Sequence, residues 1–141
     1  MRNLSRHRYV AFALLAGLAA ACRAVATLAS TPAPETPFPL ATPHAQEPAA
    51  GICAQPDGDE VVMRLEPGIP DPRCLIVLPG QHLRVINHTG AEVMVGLGPF
   101  SASLASDGEI VFETPFSRYL MPGVHSLDVD PCCGGELWLK E

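Results

Sequence analysis

The chain is 141 residues long and carries 9 basic against 15 acidic residues, a net charge of −6. That balance lacks the electrostatic footprint of nucleic-acid binding and opposes adsorption to an anionic lipid surface. The length leaves room for one small domain with a modest core.

The first 21 residues read as a leader. Arg2, Arg6 and Arg8 form a positive head, Tyr9 to Ala21 is almost wholly apolar, and Leu18-Ala19-Ala20-Ala21 ends at Cys22. A basic head, a short apolar stretch and small residues before a cleavage point describe a secretory signal. With a cysteine directly after the small residues, the segment resembles the lipobox of bacterial lipoproteins. The family favours a large aliphatic residue three places before the cysteine, where this chain has Ala19, with Leu18 one place early. The resemblance implies cleavage before Cys22, acylation of its thiol, and an exported protein held at the cell membrane or outer membrane by lipid. The alternative is an ordinary signal cut after Ala21, Ala24 or Ala26. A stretch of about 13 apolar residues is too short to span a hydrocarbon core about 30 Å thick. Loss of Arg2, Arg6 and Arg8 takes the net charge from −6 to −9, so membrane attachment has to come from acyl chains, of which stable anchoring needs more than one.

Residues 22–50 follow as a linker. Pro32, Pro34, Pro37, Pro39, Pro43 and Pro48 alternate with Ala and Thr. Such a segment cannot offset its ordering entropy by burial, and its proline density predicts an extended, semi-rigid spacer. His44 is expected to be solvated there.

Residues 51–141 carry β patterning. Expected strands run over 60–65, 73–78, 81–87, 92–97, 108–113, 123–129 and 135–140, with 101–105 as a short strand or a turn. They are rich in Val, Ile, Leu and Phe and are separated by Gly, Pro, Asn and Asp at intervals of about ten residues. The pattern predicts an all-β sandwich or barrel of about 7–8 strands. The period of two places Leu137 and Leu139 inward, and Glu136, Trp138 and Lys140 outward. His125 shares a face with Leu127 and Val129, with Val124, Ser126 and Asp128 opposite. It is expected as a hydrogen-bonded core histidine.

The order of these segments resembles the cupredoxin family of Greek-key sandwiches. Pro79-Gly80-Gln81-His-Leu-Arg-Val-Ile-Asn87 stands where members carry a Gly-x-x-Val-x-Phe-x-Asn-like strand. Tyr119-Leu120-Met121-Pro122-Gly123 leads into an alternating strand ending at Asp130-Pro131. In members a similar strand leads to the copper loop. A type 1 copper site uses two histidines, a cysteine and a weak axial methionine. The first histidine's place falls at Glu92 or Val93, the cysteine's at Val129, and the second histidine's at Cys132. Gly134-Gly135 leaves no place for the methionine. The resemblance therefore implies the fold without its type 1 copper.

Cys53, Cys74, Cys132 and Cys133 are expected as disulfides, as in small exported domains. Three pairings are open. Two join Cys53 and Cys74 each to one of Cys132 and Cys133, tying the domain's start to its last loop. The third pairs Cys53 with Cys74 and closes a strained eight-membered ring between Cys132 and Cys133, and it is the less expected. Carboxylates around Cys132 and Cys133 oppose thiolate formation. As metal candidates there remain Cys132, Cys133, His125 and Met121, with Met94 and His88. Met121 and His125 should lie about 15–20 Å from the cysteine pair, at the other end of one strand. No nucleophile elbow, phosphate loop or zinc-protease motif occurs, and Asn87-His88-Thr89 matches a glycosylation sequon by chance.

The expectation is a lipid-anchored, exported, non-catalytic module of the cell envelope. It would have a binding or structural role, no cofactor, and an envelope protein as its partner. The alternatives are a copper-handling or electron-transfer protein with an atypical Cys/His/Met site, and a thiol redox protein.

Overall fold

A computed structural model describes residues 38–141. The leader, Cys22 and the linker up to residue 37 lie outside the described residues. Eight strands occur in order: β1 (Glu60–Leu65), β2 (Cys74–Val77), β3 (His82–Asn87), β4 (Val93–Leu97), β5 (Phe100–Leu104), β6 (Glu109–Phe112), β7 (Gly123–Asp130) and β8 (Gly135–Leu139). A 3₁₀ turn, Phe116–Arg118, precedes β7.

The strands form two sheets, ordered β1-β3-β6 and β2-β8-β7-β4-β5. β1 runs parallel to β3 and β2 parallel to β8, while the β3–β6, β4–β5, β4–β7 and β7–β8 pairs are antiparallel. Consecutive strands β1, β2 and β3 thus change sheet twice, the crossing that makes the fold a Greek-key sandwich of the cupredoxin kind. The expected fold class is the observed one, and the ambiguous segment at 101–105 is the strand β5.

Alternation along each strand builds the core. Val61, Met63 and Leu65 of β1 with Leu83 and Val85 of β3 face inward from one sheet, and Val93, Val95 and Leu97 of β4 with Leu137 and Leu139 of β8 from the other. Each such side chain contributes about 1.5–3 kcal/mol on burial. Phe116 and Tyr119 fill the space beneath, both at 0% exposure, and the Tyr119 ring meets Phe100 edge to face at 4.9 Å. On the outer face, Arg84 ties three strands together. Its Nε donates to Glu60 at 2.7 Å and its Nη1 to Glu109 at 2.6 Å. The β4–β5 hairpin turns at Gly98, whose φ of 56° is one that glycine adopts without steric cost.

The boundary expected at residue 51 moves toward the N-terminus. Residues 41–45 run along β7: the Ala41 N–H donates to Tyr119 O at 2.8 Å, His44 N–H to Val124 O at 3.0 Å, and Val124 N–H to Ala45 O at 2.8 Å. The Phe38 ring stacks edge-on against Phe100, centroids 4.9 Å apart. Prolines suit this segment because it pairs at isolated bridges and not along a continuous ladder. Val124, on the face opposite His125, is fully buried, and its backbone pairs with His44 and Ala45 of this segment.

Candidate functional site

The sandwich end formed by the β3–β4 and β7–β8 loops is where the resembled family keeps its metal. Pairing of Met94 with Asp130 brings the start of β4 beside the end of β7, so the positions that would carry ligands do converge. Their side chains do not suit copper. Val93 is buried in the apolar core. Glu92 accepts a hydrogen bond from the Ser103 hydroxyl. Val129 packs against the core. His88, in the same loop, has Nδ1 3.1 Å from Glu66. Among the described residues no cluster of three or more His, Cys, Asp or Glu is arranged to hold a metal ion. The mismatch lies in the donor types themselves: aliphatic side chains and an engaged carboxylate stand where imidazole and thiolate are required.

The cysteines pair differently from expectation. Cys53 is bonded to Cys74, with Cα atoms 4.5 Å apart, and Cys132 to Cys133. The physical reason is the position of residues 53–55. Ala54 donates its N–H to Cys74 O at 2.9 Å and accepts from the Ile76 N–H at 2.8 Å, which lays this segment on the free edge of β2. β8, which leads back to the Cys132 loop, occupies the opposite edge. Cys53 therefore meets Cys74, and neither is free to tie the last loop.

The remaining metal candidates are held apart as expected, at opposite ends of β7. His125 is 5% exposed and its Nε2–H donates to Met121 O at 2.7 Å, the arrangement of a satisfied core histidine. Met121 is less than half exposed. Burial holds the His125 pKa below the ordinary imidazole value; the bond to Met121 opposes this and the nearby His44 ring adds to it. The unfolded chain binds the proton more readily, so stability is complete above the unfolded pKa of about 6.5 and declines as pH falls below it. His125→Gln is expected to weaken this loss, seen as a smaller drop in melting temperature between about pH 7.5 and about pH 5.5. An unchanged drop would place the titration elsewhere.

The outer face of β4, β7 and β8 forms an open groove of about 540 Å³, lined by Arg73, Met94, Gly96, Asp128, Asp130 and Glu136 among others. Met94 is half exposed there. The groove carries Asp128, Asp130 and Glu136 against Arg73, and the hydroxyl of its lining Ser126 lies 3.5 Å from His44 Nδ1. At one side Glu136 accepts from the N–H groups of Ala49 and Ala50, at 3.2 and 2.9 Å, and lies 3.9 Å from His44 Nε2. His44 is exposed as expected and Glu136 lies on an outward position, but the clamp between them and residues 49–50 was not foreseen. A proline-rich approach gives no periodic signal that it docks. Trp138 lies outward as expected but is half covered, with Lys140 Nζ 3.0 Å from its ring centroid.

Asn87 is the other polar residue whose role was not foreseen. It is fully buried. Its Nδ2 donates to Ala91 O, Leu104 O and Ala105 O at 2.7, 3.0 and 2.9 Å, and its Oδ1 accepts from the Thr89 N–H and hydroxyl. The sequon match is thereby explained: Asn-x-Thr is here an Asx turn with its amide consumed internally.

No protein-family model matches the chain, and no curated protein is similar to it in sequence. Among solved structures it is similar to a copper binding protein in its apo form, at 12% identity, covering 63% of this chain and 98% of that one with a TM-score of 0.46. It is also similar to the metal binding domain of a Cu(I) exporting P-type ATPase of Streptococcus pneumoniae, at 14% identity, 64% and 100% coverage and a TM-score of 0.46. A third is a mutant of amicyanin with Cu(I), at 13% identity, 75% and 95% coverage and a TM-score of 0.46. These likenesses concern the fold, which the strand order above establishes without them.

Proposed function

We propose that this chain is an exported lipoprotein that presents a cupredoxin-like sandwich as a binding module, without type 1 copper and without catalysis of its own. One observation carries the reading. At the loop end where the resembled family binds metal, the ligand positions hold Glu92, Val93 and Val129, and the cysteine at the second histidine's place is bonded to Cys133. The same polypeptide scaffold is retained while its donor set is replaced. The acidic groove on β4, β7 and β8 supports a partner surface of opposite charge. The lipid anchor rests on Leu18-Ala19-Ala20-Ala21-Cys22.

Two measurements test the reading. Cells expressing the full chain with labelled palmitate should incorporate label into it, and Cys22→Ser should lose both the label and recovery in the membrane fraction. Label on the serine variant, or a soluble wild-type chain without label, would sink the anchor. Native mass spectrometry of the oxidised exported chain with added Cu(I) should show no retained metal. One tightly held copper would return the fold to its copper-binding role.

A further inference from the structure

We propose that Cys132–Cys133 is a thiol–disulfide exchange site whose substrate is a protein dithiol borne on a basic surface. This goes beyond the binding role and does not depend on the lipid anchor. Three observations lead to it.

First, the pair is chemically self-contained. Cys53 and Cys74 are bonded to each other and Cys74 is buried to 1% exposure, so among the described residues Cys132 and Cys133 have only one another as partners. Second, the bond is separable from the fold. A disulfide stabilises by shortening the loops of the unfolded chain, and one between adjacent residues closes no loop. The ends of the β7–β8 loop are held instead by the ladder from Gly123↔Leu139 to Leu127↔Gly135. Opening the bond leaves that ladder in place, so oxidised and reduced forms share one fold. Third, the site is reachable. Cys132 is exposed and Cys133 half exposed. They follow Asp130 and precede Gly134-Gly135, all three lining the outer groove with Asp128 and Glu136. Exposed disulfides belong to the labile, exchanging class, and the carboxylates, which oppose thiolate formation in the chain alone, favour a cationic partner whose basic groups offset them at the site.

The chemistry balances within the two proteins. A thiolate of the partner attacks Cys132 Sγ. The bond to Cys133 breaks and its electron pair leaves on Cys133 as thiolate, giving a mixed disulfide. The partner's second thiolate attacks its own sulfur in that bond and releases Cys132 as thiolate. Cys132 and Cys133 take up the two protons the partner dithiol gave up. The partner is oxidised by two electrons to a disulfide, and this chain is reduced by two electrons to a dithiol.

The test uses the full chain from an oxidising compartment, with dithiothreitol as the probe dithiol and alkylation followed by peptide mass mapping as the readout. The expected result is two alkyl groups, on Cys132 and Cys133, at dithiothreitol concentrations that leave Cys53–Cys74 closed, with the melting temperature unchanged. Cys133→Ser should capture glutathione from its disulfide at Cys132, and Cys132→Ser should lose that capture. Prior opening of Cys53–Cys74, a fall in melting temperature when Cys132 and Cys133 are reduced, or failure of Cys133→Ser to capture glutathione would each overturn the proposal. The double variant C132S/C133S, expected to melt with the wild type, guards against a silent folding defect.

Discussion

Asn87→Ala is expected to destabilise the domain by about 3–5 kcal/mol, because a buried polar group left without its partner costs about 1–3 kcal/mol and several are orphaned together. The amide of this fully buried residue serves three carbonyls at 2.7–3.0 Å, those of Ala91, Leu104 and Ala105. Its oxygen takes the Thr89 N–H at 3.0 Å and hydroxyl at 2.7 Å. The backbone is engaged as well, with Asn87 N–H donating to Gly108 O at 2.9 Å and Asn87 O accepting from Asp107 N–H at 2.8 Å. Asn87 ends β3 in one sheet, and Leu104 ends β5 in the other. The side chain therefore ties the sheets together at the loop end. Urea denaturation followed by intrinsic fluorescence would measure the loss. Asn87→Asp is the sharper version: it keeps the shape but sets acceptor oxygens against three carbonyls. At neutral pH it should cost at least as much as alanine. A variant within about 1 kcal/mol of wild type would mean that the loop re-forms around water, which can replace a lost partner at little cost where a site is roomy enough.

The contrast between Asn87 and the strands around it shows what was legible in the sequence. β1, β3, β4 and β8 could be read because alternation reports burial one residue at a time, and Val61, Met63 and Leu65 fall inward without help from any distant contact. The Greek-key order was accessible through the resemblance carried by the Pro79-Gly80 and Pro122-Gly123 strands. A polar residue at a strand end, by contrast, has the same local pattern whether it is solvated or serves five partners. Only the return of Leu104 and Ala105 from the other sheet decides it. The same limit applies to residues 38–50. Proline density described an extended backbone correctly, as Ala41 and Ala45 show, but not that Tyr119 and Val124 would receive it. The absent copper ligands were visible directly, because the test there is residue identity at counted positions.

The disulfides were the largest departure, and they carry the second large effect. Replacing Cys53 and Cys74 together by Ala is expected to destabilise the domain by about 3 kcal/mol on the chain-entropy account. The two cysteines are 21 residues apart, so their bond closes a real loop in the unfolded chain, spanning the whole of β1 and its connection to β2. The sign is reinforced in the native state. Cys74 is buried, and the bond holds Ala54 where it pairs with Cys74 O and the Ile76 N–H, covering an otherwise open sheet edge. C132S/C133S should show no such loss, since it removes no loop constraint. Thermal melts of wild type and the two double variants, run without reductant, distinguish the arrangements. If Cys132 and Cys133 were the partners of Cys53 and Cys74, both double variants would fall together, by similar amounts. A loss confined to the Cys53/Cys74 variant identifies the bond on β2 as the one that holds the fold, and leaves the bond in the β7–β8 loop free for chemistry.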